Sequence, residues 1–233
     1  MSSPLVIGGT GGSGTRVLAR ILRLGGRYMG VDRNDSEDAM LFAGFDWAWG
    51  LFYLQRGSTP AMAREFEETI AKHLAGRPDR VPWGWKHPHS YLLLPFLHER
   101  FPDMRFIHVV RDGRDIALSH NQQQAHRYGG LLQRPEEPKP VRSAAWWAWA
   151  NVRAQRTGES LGGNYLLVRF EDLCADPLAS TRRIVAFSGG GEEALAAEVA
   201  SPRSLGRWRH HDHVLMREIE AACGEALRRF GYN

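Results

Sequence analysis

Apolar positions along this 233-residue chain alternate between two periods, and the alternation lays out a fold. Short, nearly continuous apolar runs occur at Leu5–Gly8, Trp83–Lys86, Arg105–Val110 and Tyr165–Phe170. Such runs, bounded by turn residues, predict buried strands. Between them the period lengthens to that of a helix. Gly14 to about Leu24 places Val17, Leu18, Ile21 and Leu22 on one face and stops at Gly25-Gly26. Asp35-Ser36 is read as the cap of an aromatic-rich helix reaching Leu54. Thr59-Pro60 is read as an N-cap with a first-turn proline, opening a helix to about Ala75. Further helices are predicted over Ser90–Phe101, Asp115–Gln124, Val141–Leu161, Asp176-Pro177 to Phe187, Glu192–Ala200 and His211–Phe230. Tyr128–Pro140 is turn-rich and aperiodic, which predicts a lid within residues 126–142.

Strands alternating with helices predict an α/β fold of three layers, with a central, mostly parallel sheet flanked by helices. The length suits a single domain over residues 1–233. In such sheets ligands bind beyond the carboxyl ends of the strands.

Composition changes this picture little. Hydrophobic residues make up 43% and charged residues 24%, ordinary for a soluble globular chain. A net charge of +4 favours an anionic ligand without demanding nucleic acid. Of 30 cationic side chains only Lys72, Lys86 and Lys139 are lysines, so a lysine beside a motif carries weight. Cys174 and Cys223 are far apart and match no metal or disulfide spacing. No signal segment and no apolar run near 18 residues is visible, so the expectation is a cytoplasmic protein with no membrane partner.

Candidate chemistry begins at "LVIGGTGGSGTRVLARIL", a strand, a glycine-rich turn and a helix. Gly9, Gly11 and Gly14 fit a dinucleotide fingerprint with Asp32 near the ribose position, but the segment before Asp32 makes a poor second strand. The other reading is a nest of amides over Gly11, Gly12, Ser13, Gly14, Thr15 and Arg16 that wraps one phosphate at a helix N-terminus. A triphosphatase or small-molecule kinase would carry Lys after Gly14; Thr15 and Arg16 stand there instead. At the end of the next strand, Arg111 is followed eight residues later by Ser119, a pair able to grip a second phosphate. Glu171-Asp172 is read as a brace between a strand end and the next helix.

Together these segments resemble a sulfotransferase that uses 3′-phosphoadenosine 5′-phosphosulfate (PAPS). Ser13-Gly14-Thr15 matches the core of that family's 5′-phosphosulfate loop. Arg111 and Ser119 match its 3′-phosphate motif, and Phe170–Leu173 with Asp176-Pro177 match its [Y/F]-E-D-L-x-x-D-P element. Gly206-Arg207-Trp208 matches a late G-x-W element, with Arg203 and Arg207 as candidates to close over the 3′-phosphate. "WGWKHP" matches a W-K-x-P segment that contains Lys86. The loop departs from the family at Gly12, where a cation is usual, and in this it resembles bacterial and Golgi-type members.

The resemblance implies a P-loop-containing nucleotide-binding fold and transfer of a sulfuryl group from PAPS to a hydroxyl or amine, leaving 3′,5′-ADP (PAP). It implies an acceptor that is a small molecule or glycan, and no metal. Lys86, helped by Arg16, would neutralise the leaving phosphate oxygen. For the general base, Asp32 ranks first, His87 second and His89 third. The alternatives are a P-loop small-molecule kinase and a non-catalytic nucleotide-binding scaffold.

Overall fold

Among the described residues, four strands form one sheet. They are β1 (Leu5–Gly9), β2 (Gly84–Lys86), β3 (Arg105–Val110) and β4 (Tyr165–Arg169), all parallel, in the spatial order β2-β1-β3-β4. The computed structural model describes residues 2–190 and 193–232. Ile7 pairs with Lys86 on one side and Ile107 on the other, and Ile107 pairs with Leu166. This register brings the loop after Gly9, Lys86, Arg111 and Phe170 to one edge of the sheet.

The alternation of side chains along each strand divides the core. Val6, Trp85 and Phe106 point to one face. There they meet α2 (Met40–Arg56), α3 (Pro60–Leu74), α4 (Leu94–Arg100) and α7 (Lys139–Glu159). Phe42 stacks on Trp85 with ring centroids 4.2 Å apart, and Phe45, Trp49 and Tyr53 of α2 also pack on this core, whereas Trp47 and Phe52 are exposed. Leu5, Ile7, Ile107, Val109, Leu166 and Val168 point to the other face. They meet α1 (Thr15–Leu24), α8 (Phe170–Ala175) and α9 (Pro177–Ser188). A third apolar cluster joins α5 (Gly113–Ala117), α7 and α10 (His213–Arg229). Both sheet faces are covered, which is why the strands read as near-continuous apolar runs.

Five expectations are corrected. The helix expected from Asp35-Ser36 begins at Met40. Residues 31–39 form an irregular loop in which Asn34 Oδ1 accepts the amides of Ser36 and Asp38. The helix expected over Asp115–Gln124 is broken into α5 and α6 (Gln123–Tyr128), because the Gln122 amide donates to the carbonyls of Ile116, Ala117 and Ser119. These are carbonyls a continuing helix would have used. The helix expected from Ser90 starts as a 3-10 turn at Pro88–Leu93, and only Leu94–Arg100 is α-helical. The segment 126–142 is largely helical: α6 runs into a 3-10 turn at Gly129–Leu132, and Leu131 and Leu132 pack on the core. The helix expected over Glu192–Ala200 is a 3-10 turn at Glu193–Glu198, and Glu192 lies outside the described residues. No helix among the described residues is long and apolar enough to cross a membrane.

Candidate active site at the carboxyl ends of the strands

The chain leaves β1 through a tight turn in which the Ser13 amide donates to the Thr10 carbonyl at 3.0 Å. Gly12 and Gly14 adopt φ of 88° and 93°, a region costly for any residue with a Cβ. At Gly14 a Cβ would also lie 2.2 Å from the Phe170 ring. The amides of Thr15 and Arg16 open α1 without an intrahelical acceptor and are available to an anion, whereas the Val17 amide donates to the Gly14 carbonyl at 3.2 Å. Ser13 departs from the expected amide nest, because its amide is taken by the Thr10 carbonyl. It is fully buried and its hydroxyl has no partner, so its side chain packs beneath the loop.

A buried polar chain supports the loop from below. Asn151 of α7 donates to Thr10 Oγ1 at 2.9 Å, and its Oδ1 lies 2.9 Å from His108 Nε2. His108 Nδ1 lies 2.7 Å from the Tyr165 hydroxyl. Burial pushes the His108 imidazole down to about 4, so it is neutral there. On the other side Tyr91 donates to Gln124 Oε1 at 2.7 Å, and Gln124 Nε2 donates to the Gly9 carbonyl at 3.2 Å. Satisfied networks of this kind rigidify what they touch.

Above the loop opens a cavity of about 750 Å³. Its wall contains Gly11, Gly12, Gly14, Thr15 and Arg16 from the loop, Lys86 from β2, Arg111 and Ser119 after β3, Phe170 after β4, and Arg207 from the late segment. Ten of the residues singled out in the sequence therefore share one cavity. A Cβ added at Gly12 would lie 3.8 Å from Ser119 Oγ, so the glycine loop and the Arg111–Ser119 segment are neighbours.

Cationic groups concentrate here. Arg111 is buried and donates to Asp115 Oδ2 at 2.8 Å and to the Ser204 carbonyl. Asp115 also accepts the amides of Gly206 at 2.7 Å and Trp208 at 3.2 Å, so one carboxylate orients both Arg111 and the late loop. Burial lowers the Arg207 pKa, and the nearby Arg111 lowers it further. Two guanidinium groups close enough to repel are suited to sharing an anion. Lys86, 2% exposed, donates to Asp38 and to the Ser36 carbonyl at 3.0 Å. Burial lowers its pKa, Asp38 opposes that, and Arg16 adds to it.

Besides Ser13, three predicted residues are not on this wall. Asp32 Oδ2 accepts the Leu41 amide at 2.8 Å and so caps α2. His87 packs behind Lys86, and burial pushes its imidazole down to about 3. Arg203 is exposed and outside the cavity. The alternative base His89 is bound to Asp46 Oδ2 at 2.6 Å. The segment 126–142 adds no residue to the wall. Glu171 braces the sheet edge, accepting the Asp112 amide at 2.9 Å and the Tyr232 hydroxyl at 2.7 Å. Sequence reasoning passed over Asp38, Asp115, Asn121 and Ser204. For Asp115 a signal existed, four residues after Arg111 on an expected helix; for Ser204 there was none.

The geometry defines a class first: a parallel α/β protein of P-loop type with a cation-lined cavity at its strand ends. A profile of the sulfotransferase family matches residues 52–190, more than half of the chain, and the chain belongs to that family. The match includes Lys86, Arg111, Ser119 and Phe170, while the glycine loop and Arg207 lie outside it. Human carbohydrate sulfotransferase 3 is 27% identical over 178 residues, covering 60% of this chain and 36% of its own length. Mouse carbohydrate sulfotransferase 5 is 25% identical over 184 residues, covering 60% of this chain and 45% of its own. The chain spans less than half the length of these relatives. A sulfotransferase from Mycobacterium avium shares the fold at TM-score 0.65 and 14% identity, over 100% of this chain and 78% of that one. The sulfotransferase domain of the curacin biosynthetic pathway does so at TM-score 0.58 and 13% identity, over 100% and 99%.

Proposed function

We propose that this chain transfers a sulfuryl group from PAPS to a hydroxyl or amine of a small-molecule or glycan acceptor and releases PAP. The observation that carries the reading is the convergence of loop amides, Arg111 with Ser119, and Lys86 on one cavity, in a chain of the sulfotransferase family. The residues present fit the co-substrate. The α1 N-terminus and Thr15 hold the 5′-phosphosulfate, and Arg111, Ser119 and Arg207 hold the 3′-phosphate. Phe170 closes the wall between them. The similarity to carbohydrate sulfotransferases favours a sugar hydroxyl as acceptor.

Asp38, rather than Asp32, is assigned as the base. Its carboxylate lines the cavity beside Lys86, whereas that of Asp32 is committed to α2. Asp38 takes the proton of the acceptor group as its oxygen or nitrogen forms a bond to sulfur. The bond from sulfur to the bridging oxygen breaks, its electron pair stays with the phosphate, and Lys86 stabilises that charge. The Lys86 amine is already desolvated and held by groups that can release it. Arg16, exposed at the rim of the same wall, supplies part of the positive charge that Gly12 lacks.

A thermal-shift comparison of PAP, ATP and NAD⁺ tests the assignment. Stabilisation is expected with PAP, abolished in Arg111→Ala. A response to ATP or NAD⁺ in place of PAP would reject it.

A further inference from the structure

Beside this cavity lies a cluster that the transfer step does not use. His87 and His89 flank Pro88, and Asp46 of α2 faces them. One donor atom from each of the three lies within 4.8 Å of the others. Two of the three are strongly buried and under-bonded. The Asp46 side chain is 4% exposed, and its Oδ1 has no hydrogen-bond partner. His87 is 7% exposed, and its ring makes no hydrogen bond to any described residue, only a ring contact with His89 at 4.8 Å between centroids. Asp46 Oδ2 is shared by His89 Nδ1 at 2.6 Å and the Tyr128 hydroxyl at 2.7 Å, and these two donors are 3.3 Å apart.

A buried carboxylate with one oxygen unpaired, beside a buried imidazole with no partner, is costly in the absence of a compensating cation. Two imidazole nitrogens and one carboxylate oxygen form a donor set suited to a late first-row divalent ion, with positions left for water or a ligand group. Bonds of about 2.0–2.2 Å would be reached by opening the His89–Asp46 contact, the ion replacing the proton they share. Tyr128 would remain as the hydrogen bond that orients the carboxylate.

We propose that Asp46, His87 and His89 bind one divalent cation, Zn²⁺ by donor chemistry, and that Tyr128 orients Asp46 for it. The ion would hold the Lys86–His89 segment in place. Pro88, between the two histidines, lines the cavity, so the ion would stiffen the wall that presents Lys86. The site is independent of the PAPS reading, because no ligand of the ion belongs to the proposed transfer machinery.

The test is equilibrium binding by the purified full chain after chelator treatment. Zn²⁺ is titrated by calorimetry, and Co²⁺ substitution is followed by its visible spectrum. Saturable uptake of one ion per chain is expected, with a Co²⁺ spectrum of a four- or five-coordinate N/O site. His89→Gln at the rim and Asp46→Asn in the interior should each weaken binding at least about 10-fold, and Tyr128→Phe by about 10–100-fold. Circular dichroism and thermal melting report whether each variant folds; where Asp46→Asn does not, the other two decide. No saturable uptake by the wild-type chain, or uptake unchanged in His89→Gln and Tyr128→Phe, overturns the proposal. Loss of PAP binding with metal uptake intact would instead count against the PAPS reading alone.

Discussion

Two cations in the cavity wall, Arg111 and Lys86, are buried to a similar degree but held differently. Arg111 is clamped by Asp115, whose side chain is only 1% exposed and which also grips two amides of the late loop. That pairing is part of the fold. Lys86 is held by Asp38, whose side chain is 19% exposed and sits on an irregular loop. That pairing can exchange. Under the proposed function, the difference matches what each end of a bound PAPS would require. A 3′-phosphate that stays unchanged is best met by a fixed guanidinium. A bridging oxygen that gains charge is best met by an amine whose partner can let go.

The comparison can be broken most directly at Asp38. Asp38→Asn should lower kcat by about 10²–10⁴-fold with PAP affinity retained, measured by steady-state sulfuryl transfer and calorimetry. Asp32→Asn should keep turnover and cost about 0.5–2 kcal/mol of stability through the lost cap. The reverse pattern would return the base role to Asp32. Next in size is Asp115→Asn. Breaking the buried Arg111 pair should cost about 3–5 kcal/mol in denaturant unfolding and weaken PAP binding, because the late loop is released as well. Lys86→Ala should reduce kcat by about 10²–10³-fold while PAP titrations change little. If PAP binding collapses instead, Lys86 belongs with Arg111 as a fixed contact. The smallest effect is expected at Gly14→Ala. The left-handed backbone alone costs about 1–2 kcal/mol, and displacement of Phe170 should also lower PAP affinity, read by thermal melting and titration.

How much of this was legible depended on how local the cause was. The four strands stood out because both faces of the sheet are covered, so each strand is a short apolar run. The cap at Thr59 was equally visible, and its Oγ1 accepts the Met62 amide at 3.2 Å. The break between α5 and α6 was hidden. It depends on one glutamine side chain reaching three carbonyls, and the local pattern is otherwise helical. The start of α2 was misplaced because Asp35-Ser36 has the composition of a cap, while the side chain that caps the helix is Asp32, nine residues before Leu41. Asp32 ranked first as base by the family resemblance, from its distance beyond Ser13-Gly14-Thr15. Spacing from the loop identifies a neighbourhood, and three acids in the segment 35–38 compete within it. The Glu37 carboxylate is bound to Arg23 and Arg33, which leaves Asp38 beside Lys86.

By itself the sequence determined the order of strands and most helices, the glycine-rich loop, and the two strand-end cations, because each depends on residues within one turn or one strand. Only the tertiary structure decided which carboxylate meets Lys86 and that Asp115 holds both Arg111 and the late loop. It also placed His87 beside Asp46 and His89, away from the cavity wall. Lys86 and Asp38, Asp115 and the late loop, and His87 and Asp46 stand tens of positions apart and meet only through the packing of separate elements. No spacing along the chain encodes the distance between two side chains delivered by different strands.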